Sequence, residues 1–132
     1  IAANDGCSQN LAVVPLTGVA STSGGGVAAW QPPGGGRVLI TRAILDVPTH
    51  STGAANLSIG IAANATTSST TLFPIVVAVG SNVTTDNIGD PTAVPPLVSA
   101  CLPMAAGTYI TVTGSATTVG MVGNLYIQYI KP

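Results

Sequence analysis

Charge is what this chain has least of. Only seven of its 132 residues are ionic: Asp5, Asp46, Asp86, Asp90, Arg37, Arg42 and Lys131, with no glutamate at all. An ordinary soluble domain carries roughly a quarter charged residues. Three scattered cations and a net charge of −1 exclude nucleic-acid binding, whose affinity comes mostly from Lys and Arg neutralising phosphates. So few ionisable groups also leave acid–base catalysis poorly equipped, so no enzymatic activity is expected. Aromatic residues are scarce too (Trp30, Phe73, Tyr109, Tyr126 and Tyr129), which weakens a sugar-binding module that stacks glycans on exposed rings. No apolar run approaches the roughly 20 residues that a membrane-spanning helix needs. The start, Ile1-Ala2-Ala3-Asn4-Asp5-Gly6, lacks the basic and apolar regions of a signal peptide.

Cysteine is limited to Cys7 and Cys101, too far apart for a metal-binding pair. Two readings stay open: a long-range disulfide, or two buried thiols, free cysteine being among the most buried residue types. With one histidine, His50, zinc-like spacing is missing, and no cofactor is expected.

What the chain has in abundance is turn residues and β-formers. Sixteen glycines and ten prolines punctuate short runs of Val, Ile and Thr, the pattern of an all-β sandwich or barrel. The runs predict eight strands, at Gln9–Leu16, Val27–Trp30, Val38–Val47, Leu57–Ile61, Leu72–Val79, Leu97–Leu102, Thr108–Thr113 and Met121–Ile130. Leu72–Val79 is nearly continuous in apolar residues, as for a strand covered on both faces. Gly80–Pro96 reads as a long loop. The connections are too short and too rich in Gly and Pro for helical crossovers, so pairing is antiparallel. Eight strands with long end loops match a jelly-roll-like β-sandwich, with an immunoglobulin-like sandwich as the alternative. The length fits a single domain: a Gly/Pro-rich N-terminal part, residues 1–36, joined to a main sandwich, residues 37–132.

Two strands are apolar on both faces. In Val38–Val47 the odd positions Leu39, Thr41, Ala43, Leu45 and Val47 form a core face. The even positions Val38, Ile40, Arg42, Ile44 and Asp46 are not a simple solvent face. In Met121–Ile130, the residues Met121, Gly123, Leu125, Ile127 and Tyr129 point inward, leaving Val122, Tyr126 and Ile130 outside with Asn124 and Gln128. A two-layer sandwich buries one face per strand, so the second faces predict cover, by another subunit or by the chain's own Gly/Pro-rich loops. Arg42 and Asp46 are the ionic residues expected to meet a neighbour. An extended arm, Ile1 to Leu11, is expected to add a strand to a neighbour.

Candidates for chemistry are sparse. His50 lies near Asp46 and Ser51, but no G-x-S-x-G elbow accompanies them, and a turn histidine is the simpler expectation. Asn82–Asp90 offers oxygen ligands for Ca²⁺ without EF-hand spacing; Asx turns explain it as well. The triglycines 24–26 and 34–36 lack the GK[ST] of a phosphate loop.

The segments Arg37–Val47, Ser51–Ala54 and Ile59–Ser69, with Gly107–Val112 and Gly120–Ile130, resemble small virion proteins of tailed bacteriophages, of the capsid decoration (cement, or head-stabilising) kind. The likeness is one of strand-and-turn texture and covers about half of the chain; residues 1–36 depart from it. It implies a non-enzymatic protein on the capsid exterior, made in the host cytoplasm. Its partners would be the major capsid protein and its own copies as a homotrimer, with no role for nucleic acid or membrane. The alternative is a secreted adhesin or carbohydrate-binding domain.

Overall fold

The computed structural model describes residues 9–20, 25–73, 77–86 and 102–132. Ile1, Cys7 and Cys101, with the thiol question they raise, lie outside the described residues. The fold is an antiparallel β-sandwich, and no described segment is helical. Its strands are β1 (Gln9–Thr17), β2 (Gly25–Trp30), β3 (Val38–Thr49), β4 (Asn56–Ala62), β5 (Val77–Ala78), β6 (Val83–Asp86), β7 (Leu102–Met104), β8 (Tyr109–Gly114) and β9 (Val122–Ile130). One sheet runs β1-β9-β3-β6, with β7 also on β3; the other runs β2-β8-β4-β5. Because β9 occupies one edge of β3, β6 and β7 share the other, β7 beside Val38–Ile40 and β6 beside Ile44–Val47.

Alternation places the core. Leu125, Ile127 and Tyr129 of β9, Leu57 and Ile59 of β4, and Ile110 and Val112 of β8 all point between the sheets and are buried. Prolines sit where no ladder bond is lost. Pro15 lies on β1, an edge strand, where its missing N–H costs nothing. The strand expected at Val38–Val47 continues to Thr49 as β3, with Pro48 inside a register shift against β9 and past the stretch paired with β6.

A second register shift, between Ile40 and Arg42, overturns part of the face assignment. A bulge puts two residues opposite one and reverses the inside–outside phase. Beyond it Ala43, Leu45 and Val47 are buried as expected, but before it the buried residues are Val38 and Ile40, each 1% exposed. These two belong to this chain's own core, and Leu39 takes the outer position. Thr41, at the bulge, donates its hydroxyl to the Gln128 carbonyl at 3.1 Å and accepts from the Gln9 amide at 3.2 Å.

The long strand expected at Leu72–Val79 is also corrected. Leu72 and Phe73 are buried in a turn, both donating N–H to the Ile59 carbonyl, and among the described residues of this stretch only Val77–Ala78 is strand. Within Gly80–Pro96, Val83–Asp86 forms β6. The strand expected at Leu97–Leu102 lies outside the described residues except for Leu102, which begins β7.

Candidate functional site: an uncovered sheet face

The two sheets finish their outer faces differently. On β2-β8-β4-β5 the segment 63–71 crosses the outside. The Thr111 hydroxyl donates to the Thr67 carbonyl at 2.8 Å, the Thr113 hydroxyl to Ser68 Oγ at 2.9 Å, and the Ile61 N–H to Thr71 Oγ1 at 2.8 Å. Thr111 and Thr113 are buried as a result. The strap lies so close that a Cβ on Gly60 would sit 2.5 Å from both Ser69 Oγ and the Thr71 nitrogen; only glycine leaves room. Hydroxyls thus do on this side what charge does on ordinary surfaces, satisfying polar groups without ions.

No described segment crosses the other face. Its register gives five rows. Thr17, Val122 and Thr49 form the first; Pro15, Asn124, Asp46 and Thr84 the second. Val13, Tyr126, Ile44 and Asp86 form the third, Leu11, Gln128 and Arg42 the fourth, and Gln9, Ile130, Leu39 and Pro103 the last. Leu11 is 60% exposed, Val13 51% and Val122 52%, and Ile44, Tyr126 and Ile130 are half-buried. Single exposed apolar residues are commonplace, but a contiguous set marks a contact surface. Asp46 accepts a hydrogen bond from Thr84 Oγ1 at 2.8 Å, which fixes its carboxylate on the face. Arg42 is exposed on the same strand.

Of the ten residues singled out from sequence, this face therefore gathers seven: Leu11, Arg42, Ile44, Asp46, Val122, Tyr126 and Ile130. Val38 and Ile40 are removed by the bulge, and Ile1 lies outside the described residues. Val13 was missed, although its place two residues after Leu11 in a run of period two was signal enough. The proposed arm is shortened as well, since Gln9, Asn10 and Leu11 are already paired with Ile130, Tyr129 and Gln128 of β9.

Among the described residues, those considered for chemistry are engaged elsewhere; residues 87–90 of the Asn82–Asp90 candidate lie outside them. His50 Nδ1 lies 2.7 Å from the Ser51 carbonyl, while the buried Ser51 hydroxyl donates to the Gly53 and Val79 carbonyls. Serine, histidine and Asp46 are not assembled into a relay. Asn82 Oδ1 accepts the His50 N–H at 3.1 Å, and among the described residues no group of three potential metal ligands converges. A cleft of about 350 Å³ outside the second sheet is lined by Gly26, Ser58, Thr66, Ser68 and Thr113 to Ser115, without a ring on which a sugar could stack.

Comparison of the chain with protein-family models, with curated proteins and with solved structures finds no match.

Proposed function

We propose that the chain is a structural virion protein that binds the outer surface of a phage capsid and stabilises it by clamping neighbouring major capsid proteins. The observation that carries this reading is the contrast, among the described residues, between a strapped sheet and a bare one in a nearly ion-free molecule. Covering neutral, hydroxyl-rich surface removes few strongly hydrated groups from water, so desolvation opposes contact weakly. Many identical copies on one shell then add modest contacts into firm attachment. The strand order supports a jelly-roll reading of the sandwich, because β1, β2, β3 and β4 alternate between the sheets, as do β7, β8 and β9. On the capsid the copies would gather in threes, as the resemblance implies.

The test is co-sedimentation with expanded heads assembled from the major capsid protein that the proposal expects to be encoded near this chain's gene. Saturable binding with a raised melting temperature of the heads is expected. Tyr126→Asp, at the centre of the bare face, should weaken binding by at least about tenfold, the scale of a buried interface anchor. Absence of binding, or binding indifferent to Tyr126, contradicts the proposal; specific glycan binding in its place would favour the adhesin alternative.

A further inference from the structure

The register of β3 against β9 gathers two of the chain's three cations at one end of the sandwich. Leu39 is paired with Ile130, so Arg37, just before β3, and Lys131, just after β9, converge beyond the last row of the bare face. With Pro33, Gly34, Gly36 and Val38 they line a cleft of about 590 Å³, within the range that small ligands occupy. We infer that this cleft is a docking site for a carboxylate, carried by an acidic segment of a partner protein that runs off the end of the bare face.

The loop before β3 builds the cleft. The Gly35 N–H donates to the Pro32 carbonyl at 2.8 Å, with Pro33 and Gly34, at φ 84°, between them. That is a type II turn, which favours proline and then glycine at its two central positions. The Gly35 carbonyl accepts the Gly107 N–H at 3.1 Å, tying the loop to the turn between β7 and β8. Lys131 Nζ donates to the Pro33 carbonyl at 3.2 Å, which holds the ammonium at the rim and leaves it two further N–H donors. A Cβ on Gly34 or Gly36 would meet nothing within 4 Å, so glycine at both positions keeps the cleft open.

Charge decides what the cleft takes. Arg37 is exposed, and among the described residues its guanidinium has no hydrogen-bonding or ionic partner. The described aspartates are remote: Asp46 lies nine residues beyond Arg37 along β3, and Asp86 is paired with Ile44, seven beyond it. Each is roughly 20 Å or more away along an extended strand, well past the Debye length of about 8 Å at physiological salt. Asp5 and Asp90 lie outside the described residues. The guanidinium presents a planar fork that holds a carboxylate bidentately, and Lys131 adds a point charge beside it. Two cations match one acidic side chain rather than a polyanion, and Pro33 offers apolar surface to the residues that flank it. The occupant is a protein segment whether or not that protein is a capsid subunit, so failure here leaves the proposed function standing.

The test is a nuclear magnetic resonance titration of the isotope-labelled full chain with a capped tripeptide that carries aspartate between two valines. The amides of Gly34, Gly36, Val38 and Lys131 should shift saturably, with a Kd of about 1 mM or tighter. The same peptide with asparagine for aspartate should bind at least about tenfold more weakly, because only the charged acceptor makes the strong bonds. Arg37→Gln and Lys131→Gln should each weaken binding by at least about fivefold, with spectra unchanged elsewhere because both side chains are exposed. No saturable shift at the cleft overturns the inference. So does equal binding of the aspartate and asparagine peptides, or binding indifferent to both cations. Inorganic phosphate that shifts the same amides as strongly as the peptide would mark a general anion site and overturn the choice of a protein occupant.

Discussion

Leu45→Ala should lower the free energy of unfolding by about 3 kcal/mol and the melting temperature by about 10 °C. Leu45 is 0% exposed in the middle of β3, flanked across the ladders by Leu125 of β9 and Thr85 of β6. Truncation removes buried methyl groups and leaves a cavity that paired strands on both sides cannot collapse to fill. The adjacent Ile44 faces outward and is half-buried, so Ile44→Ala should cost less than about 1.5 kcal/mol. The same comparison examines the bulge. Ile40→Ala should resemble Leu45→Ala, and Leu39→Ala should resemble Ile44→Ala, although strict alternation from Leu45 would rank them the other way. Denaturant melts of the four variants supply the measurement. Equal costs at positions 39 and 40 would contradict the phase reversal.

Gly18→Ala is the second large effect, and it acts through backbone. Gly18 donates its N–H to the Met121 carbonyl at 2.8 Å, and Val19 and Thr118 are joined by Val19 N–H to Thr118 Oγ1 at 2.9 Å and Thr118 N–H to the Val19 carbonyl at 3.0 Å. These bonds tie the end of β1 to the turn that precedes β9. A Cβ at position 18 would overlap the Thr118 carbonyl oxygen and lie 3.0 Å from the Met121 nitrogen. Thr118 and Met121 are 0% exposed, so neither can swing aside. Separating the two segments forfeits hydrogen bonds worth about 1 kcal/mol each, and a loss of about 3 kcal/mol is expected. Hydrogen exchange localises the effect: the Val19 and Thr118 amides should lose protection before those of β4 and β8. Unchanged protection there would show that the tie is not needed.

The architecture was legible where composition and alternation are unambiguous. Met121–Ile130 has no bulge against β1, so its inward set (Met121, Gly123, Leu125, Ile127 and Tyr129) is the buried set. In Val38–Val47 both faces are apolar before the bulge, so hydrophobicity alone cannot signal the slip at Thr41. Leu72–Val79 misled for a related reason: an apolar run reports burial, and Leu72 and Phe73 are buried in the core without being strand. The strap itself was unforeseen, because its bonds join Thr67 and Ser68 to threonines more than forty residues away. The site was legible in part. Arg42, Ile44, Asp46 and Tyr126 stood out as residues out of keeping with a solvent face. Their arrangement in rows needed the registers of β1 and β3 against β9, which no local pattern encodes.

The claim on which the account turns is that this face is built to be covered by protein. Hydroxyl-radical footprinting of Tyr126 tests it most directly, comparing the free chain with the chain bound to expanded heads. Tyr126 and Leu11 should lose reactivity in the bound state, while Tyr109 of β8, on the other sheet, keeps its own. Equal labelling of Tyr126 in the free and bound states would contradict the claim.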